Sequence, residues 1–277
     1  MALLRPLQRM IGFCLTVVLW GYFMFGYLFI LLFLFVPYYL VARGGTAALQ
    51  KLNHLHLKGF FMLTRRLIPR TTYAIDPKVR ELRSSIIICN HISYLDPILL
   101  VSLFPQQTTI VKNTFFRVPI FGWFLRRAGY VPSSPAEMLG EAMIKNLENV
   151  KAHLAAGGNF FVFPEGTRSR DGNLSTFNRG VFSIARYCGA SLDLVFITGT
   201  DQLFRPGTFS FNTRKDNVIT LELIASIHPD YQARNFSISS VLDQARQVFE
   251  QKIADVKGDE RSKAEDRRPK DKLKARF

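Results

Sequence analysis

The sequence predicts an α/β fold, a mixed, largely parallel sheet flanked by helices, with an N-terminal membrane-embedded helical segment. Two observations predict it. Residues 10–42 contain no charged side chain, and beyond residue 84 short apolar runs alternate with segments of helical periodicity. Apolar runs of strand length that alternate with helices are typical of a sheet covered by helices on both faces.

The uncharged N-terminal stretch is longer than the roughly 20 residues that a helix needs to cross a bilayer, and too long for the core of a signal peptide. Basic residues flank both of its ends, among them Arg9 and Arg43. Because basic flanks favour the cytoplasmic side, a kinked or re-entrant insertion, bent around Gly26 or Pro37, accounts for both flanks better than a simple span. The alternative is one tilted helix.

The elements that follow are predicted from periodicity. Residues 46–68 mix apolar and basic side chains at helical spacing, which predicts a helix, either at the membrane interface or on the domain surface. Residues 70–83 are interpreted as a polar connector. Strands are predicted at residues 84–89, 108–111, 160–163, 192–197 and 218–227. Helices are predicted at residues 97–104, 119–128, 135–156, 179–188 and 238–254.

This pattern divides the chain into three regions. Residues 1–70 form the membrane-embedded and interfacial helical region, and residues 71–255 form the α/β domain. Residues 256–277 form a charged tail, which we expect to be disordered because nearly all of its side chains are charged or small.

Composition restricts the classes of partner. A net charge of +15 and a pI near 10.0 predict anionic partners, which include an anionic membrane surface, an acidic carrier protein and nucleic acid. The basic residues are dispersed and lack interleaved aromatic side chains, which disfavours nucleic acid. Three scattered cysteines and the absence of metal-ligand spacing predict no disulfide framework, no metal and no cofactor, in a domain that faces a reducing cytosol.

The first chemical motif follows the run at residues 84–89. Asn90 and His91 end this run, and Asp96 follows before a proline. Histidine is the side chain best suited to take a proton from a hydroxyl near neutral pH, and a carboxylate on its other ring nitrogen fixes the tautomer. Asp96 also suits a helix cap. A position between strand and helix, where the sites of α/β proteins lie, favours the catalytic interpretation.

The second motif, residues 163–169, repeats this arrangement after the run at residues 160–163. Gly166 allows close approach of the backbone to a ligand. Thr167, Arg168 and Ser169 supply hydroxyl and guanidinium donors that suit phosphate oxygens. Glu165 would repel phosphate, so we interpret it as binding an acceptor hydroxyl or as holding the clamp. The alternative for the whole motif is a polar turn that only ends the strand.

These motifs resemble those of the glycerolipid acyltransferase family, which includes the lysophosphatidic acid acyltransferases. Asn90-His91 with Asp96 is similar to the first motif of the family, and residues 163–169 with 177–180 are similar to the third. Residues 112–131 resemble the second. The chain departs from the family at residues 131–134, where a basic residue is common, and at Leu194, where a proline is common. The resemblance covers about residues 84–200.

The resemblance implies that His91 is the general base and that Asp96 orients it. It also implies direct transfer of an acyl group from a thioester to an acceptor hydroxyl, without a covalent enzyme intermediate. A covalent route through Cys89 is the alternative. The residues that the resemblance assigns to substrate binding are Lys112, Glu165, Gly166, Thr167 and Arg168.

The expected function is acyl transfer from acyl-CoA or acyl-ACP to a lysophospholipid, above all 1-acylglycerol-3-phosphate, to give phosphatidic acid in phospholipid biosynthesis. The alternatives are transfer to another lyso-lipid, such as a lyso-aminolipid or lysophosphatidylglycerol, a membrane-tethered thioester hydrolase, and a non-enzymatic binder of anionic lipid. We expect the protein at the membrane, with its catalytic domain on the cytoplasmic face.

Overall fold

The computed structural model describes residues 4–29, 32–33, 37, 45–133, 141–169 and 172–266. Its helices are α1 Leu4–Phe29, α2 Thr46–Leu67, α3 Pro77–Glu81, α4 Leu95–Leu103, α5 Asn113–Phe116, α6 Phe121–Arg127, α7 Glu141–Ala155, α8 Arg179–Cys188, α9 Thr200–Leu203 and α10 Ile238–Asp266. Its strands are β1 Thr71–Ile75, β2 Ile86–Cys89, β3 Gln107–Lys112, β4 Val131–Ser133, β5 Asn159–Val162, β6 Leu192–Thr198 and β7 Asn217–Ile227.

In the described part of the chain, the strands form one sheet in the order β1-β7-β6-β2-β5-β3-β4. Strands β6, β2, β5, β3 and β4 are parallel to one another, whereas β7 runs antiparallel to β6 and pairs in parallel with β1. The predicted mixed, largely parallel sheet is therefore confirmed. Because the carboxyl ends of the five parallel strands meet at one edge, the loops after β2 and β5 lie side by side there.

The sheet separates two helical layers. Successive side chains of β2 point to opposite faces, and all four are fully buried, as in a central strand of a covered sheet. Ile87 and Cys89 pack with α1, α2 and α4, whereas Ile86 and Ile88 pack with α7, α8 and α10. The first layer carries the N-terminal apolar helix, so the two faces of the sheet have different surroundings.

Helix α1 packs on the domain through one of its faces. Leu19 is fully buried in the core beneath it, while Phe13, Met24 and Phe25 on other faces are 56%, 62% and 72% exposed. Residues 6–29 are long and apolar enough to cross a membrane by length and composition alone, with a mean hydropathy of 1.8. The predicted membrane-embedded segment thus coincides with a helix that leaves large apolar side chains uncovered.

The proposed bend at Gly26 is wrong, because α1 continues through this residue to Phe29. A Cβ atom at position 26 would lie 2.5 Å from Cε1 of His56 on α2. Glycine therefore allows close packing of the two helices here and does not break α1. The neighbours of Pro37 lie outside the described residues.

The polar connector predicted at residues 70–83 contains strand β1 and helix α3. Strand β1 lies at the edge of the sheet and alternates between buried and more exposed residues. Because it contains polar threonines, the search for apolar runs did not identify it as a strand. Helix α3 begins after Asp76, whose carboxylate accepts a hydrogen bond from the backbone N–H of Lys78 at 2.9 Å. Strand β4, three residues on the other edge, was also not predicted.

The helix predicted to end at residue 254 continues as α10 to Asp266. The predicted disorder is therefore wrong for residues 256–266, while residues 267–277 lie outside the described part. Lysine, glutamate and alanine are good helix formers, and opposite charges four residues apart support a helix, as Arg246 and Glu250 do at 2.7 Å. The helix predicted from residue 135 is described from Glu141 onward.

Candidate active site

His91 and Asp96 meet at the carboxyl end of β2. Nδ1 of His91 lies 2.8 Å from Oδ2 of Asp96, and the side chains are 16% and 0% exposed. The ring of His91 stacks on Phe163, with centroids 4.2 Å apart. No described residue forms a hydrogen bond with Nε2 of His91, and the accessible edge of the ring is available to a substrate. The geometry is that of a base oriented by a carboxylate.

The carboxylate of Asp96 is held from several sides. The backbone N–H groups of Ile92 and Ser93 each donate to Oδ2 at 2.7 Å, and the hydroxyl of Thr200 donates to Oδ1 at 2.5 Å. These donors offset the burial of the carboxylate. Asp96 lies in the first turn of α4 and is not its cap residue, which is Tyr94. It organises the turn before the helix and orients His91 at the same time.

Glu165 connects the two motifs. Its side chain is 8% exposed, Oε1 accepts from the backbone N–H of His91 at 3.3 Å, and Oε2 accepts from the backbone N–H of Ser175 at 2.9 Å. The backbone N–H of Ser169 donates to the carbonyl oxygen of His91 at 2.8 Å. Two roles were considered for Glu165, binding an acceptor hydroxyl and holding the turn that carries Arg168. These contacts support the second role.

Arg168 lies against Tyr94, a residue of the first motif that the sequence analysis did not select. The guanidinium carbon is 3.5 Å from the centroid of the tyrosine ring. Nη1 of Arg168 is buried and has no hydrogen-bond partner among the residues that the structure describes. A buried guanidinium N–H without an acceptor is unfavourable, so this position suits an incoming anion. The available sequence signal was an aromatic side chain between His91 and Asp96.

The remaining predicted binding residues differ in their relation to the pair. Gly166 has φ +67°, a conformation that favours glycine, and Thr167 beside it is exposed. Lys112 ends β3 on the same edge of the sheet and is exposed. Within the described ranges, no contact joins Lys112 to His91 or Arg168, so the structure brings together the two motifs but not the second-motif lysine.

A family model described as Acyltransferase matches residues 70–200, which contain all of these side chains. This part of the chain, a little under half of its length, is similar to the Acyltransferase family. It is 33% identical over 124 residues to a chloroplastic 1-acyl-sn-glycerol-3-phosphate acyltransferase of Arabidopsis thaliana, which covers 45% of this chain and 34% of the relative. It is 34% identical over 132 residues to a 1-acyl-sn-glycerol-3-phosphate acyltransferase of Saccharomyces cerevisiae, covering 46% and 43%.

The fold is also that of a solved structure, the 1-acyl-sn-glycerophosphate acyltransferase PlsC of Thermotoga maritima. The TM-score is 0.60 at 21% identity, with 90% of this chain and 97% of that chain covered. The matches to the plant and yeast relatives span about a third to two fifths of those proteins. The similarity in sequence to these relatives therefore covers a little under half of this chain.

Cys89 is poorly suited to covalent chemistry. Its side chain is fully buried in β2, and burial together with the nearby charge of Asp96 raises the pKa of the thiol well above its usual value. The thiolate is the nucleophilic form, so a buried thiol of raised pKa is inert. Among the described residues, no group of three or more His, Cys, Asp or Glu is arranged to hold a metal ion.

Asn90 has a structural role beside His91. Its Nδ2 donates to the carbonyl oxygen of Ile197 at 2.9 Å, and the backbone N–H of Ile197 donates to its Oδ1 at 2.7 Å. This pair of bonds attaches the end of β2 to β6. Leu194, at the position of the expected proline, is fully buried within β6. Both residues therefore stabilise the sheet at whose edge His91 lies.

Proposed function

We propose that this protein transfers an acyl group from an acyl thioester, acyl-CoA or acyl-ACP, to the free hydroxyl of 1-acylglycerol-3-phosphate, giving phosphatidic acid. The proposal rests above all on the 2.8 Å contact between His91 and the buried carboxylate of Asp96. Relatives of this domain bear the name 1-acyl-sn-glycerol-3-phosphate acyltransferase, which supports the choice of acceptor.

In this mechanism the acceptor hydroxyl donates a hydrogen bond to Nε2 of His91. The ring takes the proton while the oxygen attacks the thioester carbonyl, and Asp96 stabilises the resulting imidazolium. When the tetrahedral intermediate collapses, the new ester C–O bond remains and the C–S bond breaks. The proton passes from His91 to the departing sulfur, which leaves as a thiol. No residue of the protein is acylated.

Arg168 is the residue that binds the acceptor phosphate in this mechanism. Its unpartnered Nη1 supports this role, because a phosphate oxygen supplies the acceptor that the protein lacks there. Gly166 leaves open space, with no atom within 4 Å of an added Cβ, and Thr167 offers an exposed hydroxyl. Lys112 contributes positive charge at the same edge of the sheet.

The membrane supplies the acceptor, and we assign the protein to the membrane with its catalytic domain on the cytoplasmic face. The exposed apolar side chains of α1 support insertion of this helix, while its opposite face stays packed on the domain. The basic flanks of the apolar stretch and the net charge of +15 support a cytoplasmic, anionic lipid surface.

The direct test incubates purified protein with a labelled acyl-CoA or acyl-ACP and a panel of lysophospholipids. We expect phosphatidic acid from 1-acylglycerol-3-phosphate. His91→Ala should lower turnover by roughly 10²–10⁴-fold, because general base catalysis contributes about that much. His228→Ala is the matched control, since His228 is exposed on the loop after β7 and should leave the rate unchanged.

Two outcomes contradict the proposal. Release of free fatty acid without acylated lipid would indicate a thioester hydrolase. Full activity of His91→Ala would show that His91 is not the general base. Preference for lysophosphatidylglycerol or a lyso-aminolipid corrects the acceptor but keeps the chemistry.

A further inference from the structure

The α5–α6 turn, residues 113–121, lies in the second motif and has no part in the mechanism above. It follows β3 directly and carries three apolar side chains that are open to solvent. Phe115 is 46% exposed, Val118 is 45% exposed and Ile120 is 52% exposed. Single exposed apolar residues are ordinary, whereas a cluster of them marks a surface that contacts a partner or a membrane. The turn is therefore a candidate contact surface.

Ile120 sits at the tip of this turn on a strained backbone. Its φ is +64° and its ψ is −55°, and the backbone N–H of Phe121 donates to the carbonyl oxygen of Pro119 at 2.6 Å. These features define a γ-turn of positive φ, which is rare and strained. A β-branched residue is especially unfavourable in this conformation, and glycine would relieve the strain. Stability therefore does not explain why an exposed isoleucine stands here, and its side chain suits a role in contact.

The fold holds the turn in one shape. The backbone N–H of Gly122 donates to the carbonyl oxygen of Val118 at 2.8 Å, and Nη1 of Arg126 donates to the carbonyl oxygen of Phe116 at 2.8 Å. A Cβ atom at Gly122 would lie 2.1 Å from this carbonyl oxygen of Phe116, so only glycine allows the close approach. The exposed side chains are thus presented on a fixed frame.

The surroundings of the turn are basic. Lys112 and Arg117 are exposed, and α6 ends in two arginines. The sequence has no acidic residue between Asp96 and Glu137. Apolar side chains that adjoin basic ones suit an anionic bilayer, because the cations bind lipid phosphates while the apolar groups enter the acyl region. The charge of the turn is complementary to such a surface.

The turn also adjoins the exposed part of α1. The ring of Tyr27, near the end of α1, lies 6.0 Å from that of Phe121 and 6.1 Å from that of Phe124. Phe25 and Phe29, two residues to either side of Tyr27, are 72% and 58% exposed. An acidic protein would also match the basic residues, but the neighbouring apolar helix favours a bilayer as the partner.

We propose that the α5–α6 turn is a second membrane-binding element, which inserts Phe115, Val118 and Ile120 into an anionic bilayer beside α1. The inference rests on the proposed assignment of α1 to the membrane and does not depend on acyl transfer. The turn follows the carboxyl end of β3, which lies on the same edge of the sheet as the carboxyl end of β2. Two attachments set the orientation of the domain on the membrane, with this edge near the lipid.

Ile120→Gly separates stability from membrane binding. Glycine accepts positive φ, so this variant should unfold at the same temperature as the wild type or at a higher one. It should bind mixed phosphatidylcholine and phosphatidylglycerol vesicles roughly fivefold more weakly, because burial of a half-exposed isoleucine in an apolar phase contributes about that factor. Sedimentation with vesicles, without substrates, measures the binding.

Ile144→Gly is the matched control, because Ile144 is 55% exposed on α7 in the opposite layer. This variant should show the reverse pattern. Glycine destabilises a helix, so the unfolding temperature should fall, while vesicle binding should stay at the wild-type level. A similar loss of binding in both variants would show that the turn has no special role and would overturn the proposal.

Arg117→Gln tests the contribution of charge. Binding to vesicles with phosphatidylglycerol should weaken about fivefold, whereas binding to pure phosphatidylcholine vesicles should not change. Lys145→Gln, at an exposed position on α7, is the matched control and should bind both kinds of vesicle as the wild type does. Unchanged binding of Arg117→Gln to the anionic vesicles would contradict the proposed contact.

A fluorophore on the turn reports insertion directly. An environment-sensitive dye on Val118→Cys, in a background with Cys14→Ser and Cys188→Ser, should shift to shorter wavelength when vesicles are added. The same dye on Ile144→Cys should not shift. Absence of a shift at position 118 would overturn the proposal. A dye that is already shielded without vesicles would also do so, since the protein itself would then cover the turn.

The remaining outcomes separate this inference from the proposed function. If Ile120→Gly and Arg117→Gln keep vesicle binding but lose binding to acyl carrier protein in solution, the turn contacts an acidic protein and the membrane role is overturned. If variants of α1 lose vesicle binding while these two keep it, only the role of the turn fails. A wild type that binds vesicles through the turn but transfers no acyl group contradicts the proposed function alone.

Discussion

The buried carboxylate of Asp96 receives hydrogen bonds from two backbone N–H groups, from Thr200 and from the ring of His91. Two of these donors lie within its own turn, whereas Thr200 follows β6, the strand that lies beside β2 in the sheet. The orientation of the base therefore depends on contacts that are local in the chain and on one contact that the sheet order brings close. A carboxylate beside Nδ1 favours the tautomer of His91 that carries its proton there, which leaves Nε2 as a hydrogen-bond acceptor.

Tyr94 supports the most specific prediction at the scale of single residues. Tyr94→Leu removes the ring under the guanidinium of Arg168 while it keeps an apolar side chain. Because a cation–π contact contributes about 1 kcal/mol, we expect the KM for 1-acylglycerol-3-phosphate to rise roughly fivefold, with kcat nearly unchanged. Steady-state kinetics at saturating donor measure this effect.

Tyr94→Phe is the matched control, since it retains the ring and should retain most of the affinity. A monoacylglycerol acceptor, which has no phosphate, should be used equally well by the wild type and by Tyr94→Leu. An equal loss with both acceptors would show that Tyr94 supports the fold and does not position Arg168.

A half-buried histidine joins helix α7 to the start of strand β5 and contributes to the packing of these two elements. Nε2 of His153 on α7 lies 3.2 Å from the carbonyl oxygen of Asn159, which begins β5. A Cβ atom at Gly158 would lie 2.3 Å from this ring, so glycine allows the close contact. Burial lowers the pKa of His153 below its usual value of 6.5. The hydrogen bond to the carbonyl oxygen of Asn159 raises the pKa, but burial is the larger effect, so the folded protein favours the neutral ring.

This lowered pKa predicts a dependence of stability on pH. The folded state disfavours protonation of His153. The contribution of His153 to the free energy of unfolding is therefore complete above about pH 6.5, and it is lost as the pH falls through the lowered pKa of the folded state. Unfolding measured between pH 7.5 and 5.0 should show that the difference between the wild type and His153→Gln shrinks as the pH falls. His228→Gln, at an exposed position, should show no such trend. A difference that is constant with pH would contradict this account.

The whole molecule has two unlike sides separated by the sheet. Helices α1, α2 and α4 cover one face, and α7, α8 and α10 cover the other, while His91 and Asp96 lie at the edge of the sheet between them. Exposed apolar side chains along α1 give the first side a surface that suits a bilayer. The proposed reaction, between a membrane lipid and a water-soluble thioester, fits a site at this boundary.

The exposed surface of α1 leads to a prediction about membrane binding. Replacing Phe13 and Phe25 together by glutamate should lower the bound fraction on vesicles that contain phosphatidylglycerol by at least about tenfold, because charged side chains partition poorly into the apolar region. The thermal unfolding temperature should change little, since both side chains are exposed. Flotation of the protein with vesicles measures the bound fraction.

The control for this experiment lies on the opposite layer. Ile144 and Tyr187 are 55% and 44% exposed on α7 and α8, and their double replacement by glutamate should leave vesicle binding unchanged. Equal effects of the two double variants would indicate nonspecific charge repulsion from the anionic lipid and would contradict insertion through α1.

Sequence patterns predicted the elements whose signals are local. Buried strands such as β2 and β5 are continuous apolar runs, and α8 begins at the capping residue Asn178, so periodicity and composition identify them. Strand β1 was missed because an edge strand has polar residues and is stabilised by its pairing with β7. The end of α10 was missed because charged residues suit both a solvated helix and a disordered tail.

By itself, the sequence determined which chemistry is available: a histidine and an aspartate around one turn after a buried strand, and an arginine in a turn after another. Both motifs depend on residue types and short spacings, which are properties of the chain alone. Only the tertiary structure decided that Arg168 lies on Tyr94 and that Thr200 donates a hydrogen bond to Asp96. Those relations depend on β2 lying between β5 and β6, and strand order follows from packing across the whole sheet.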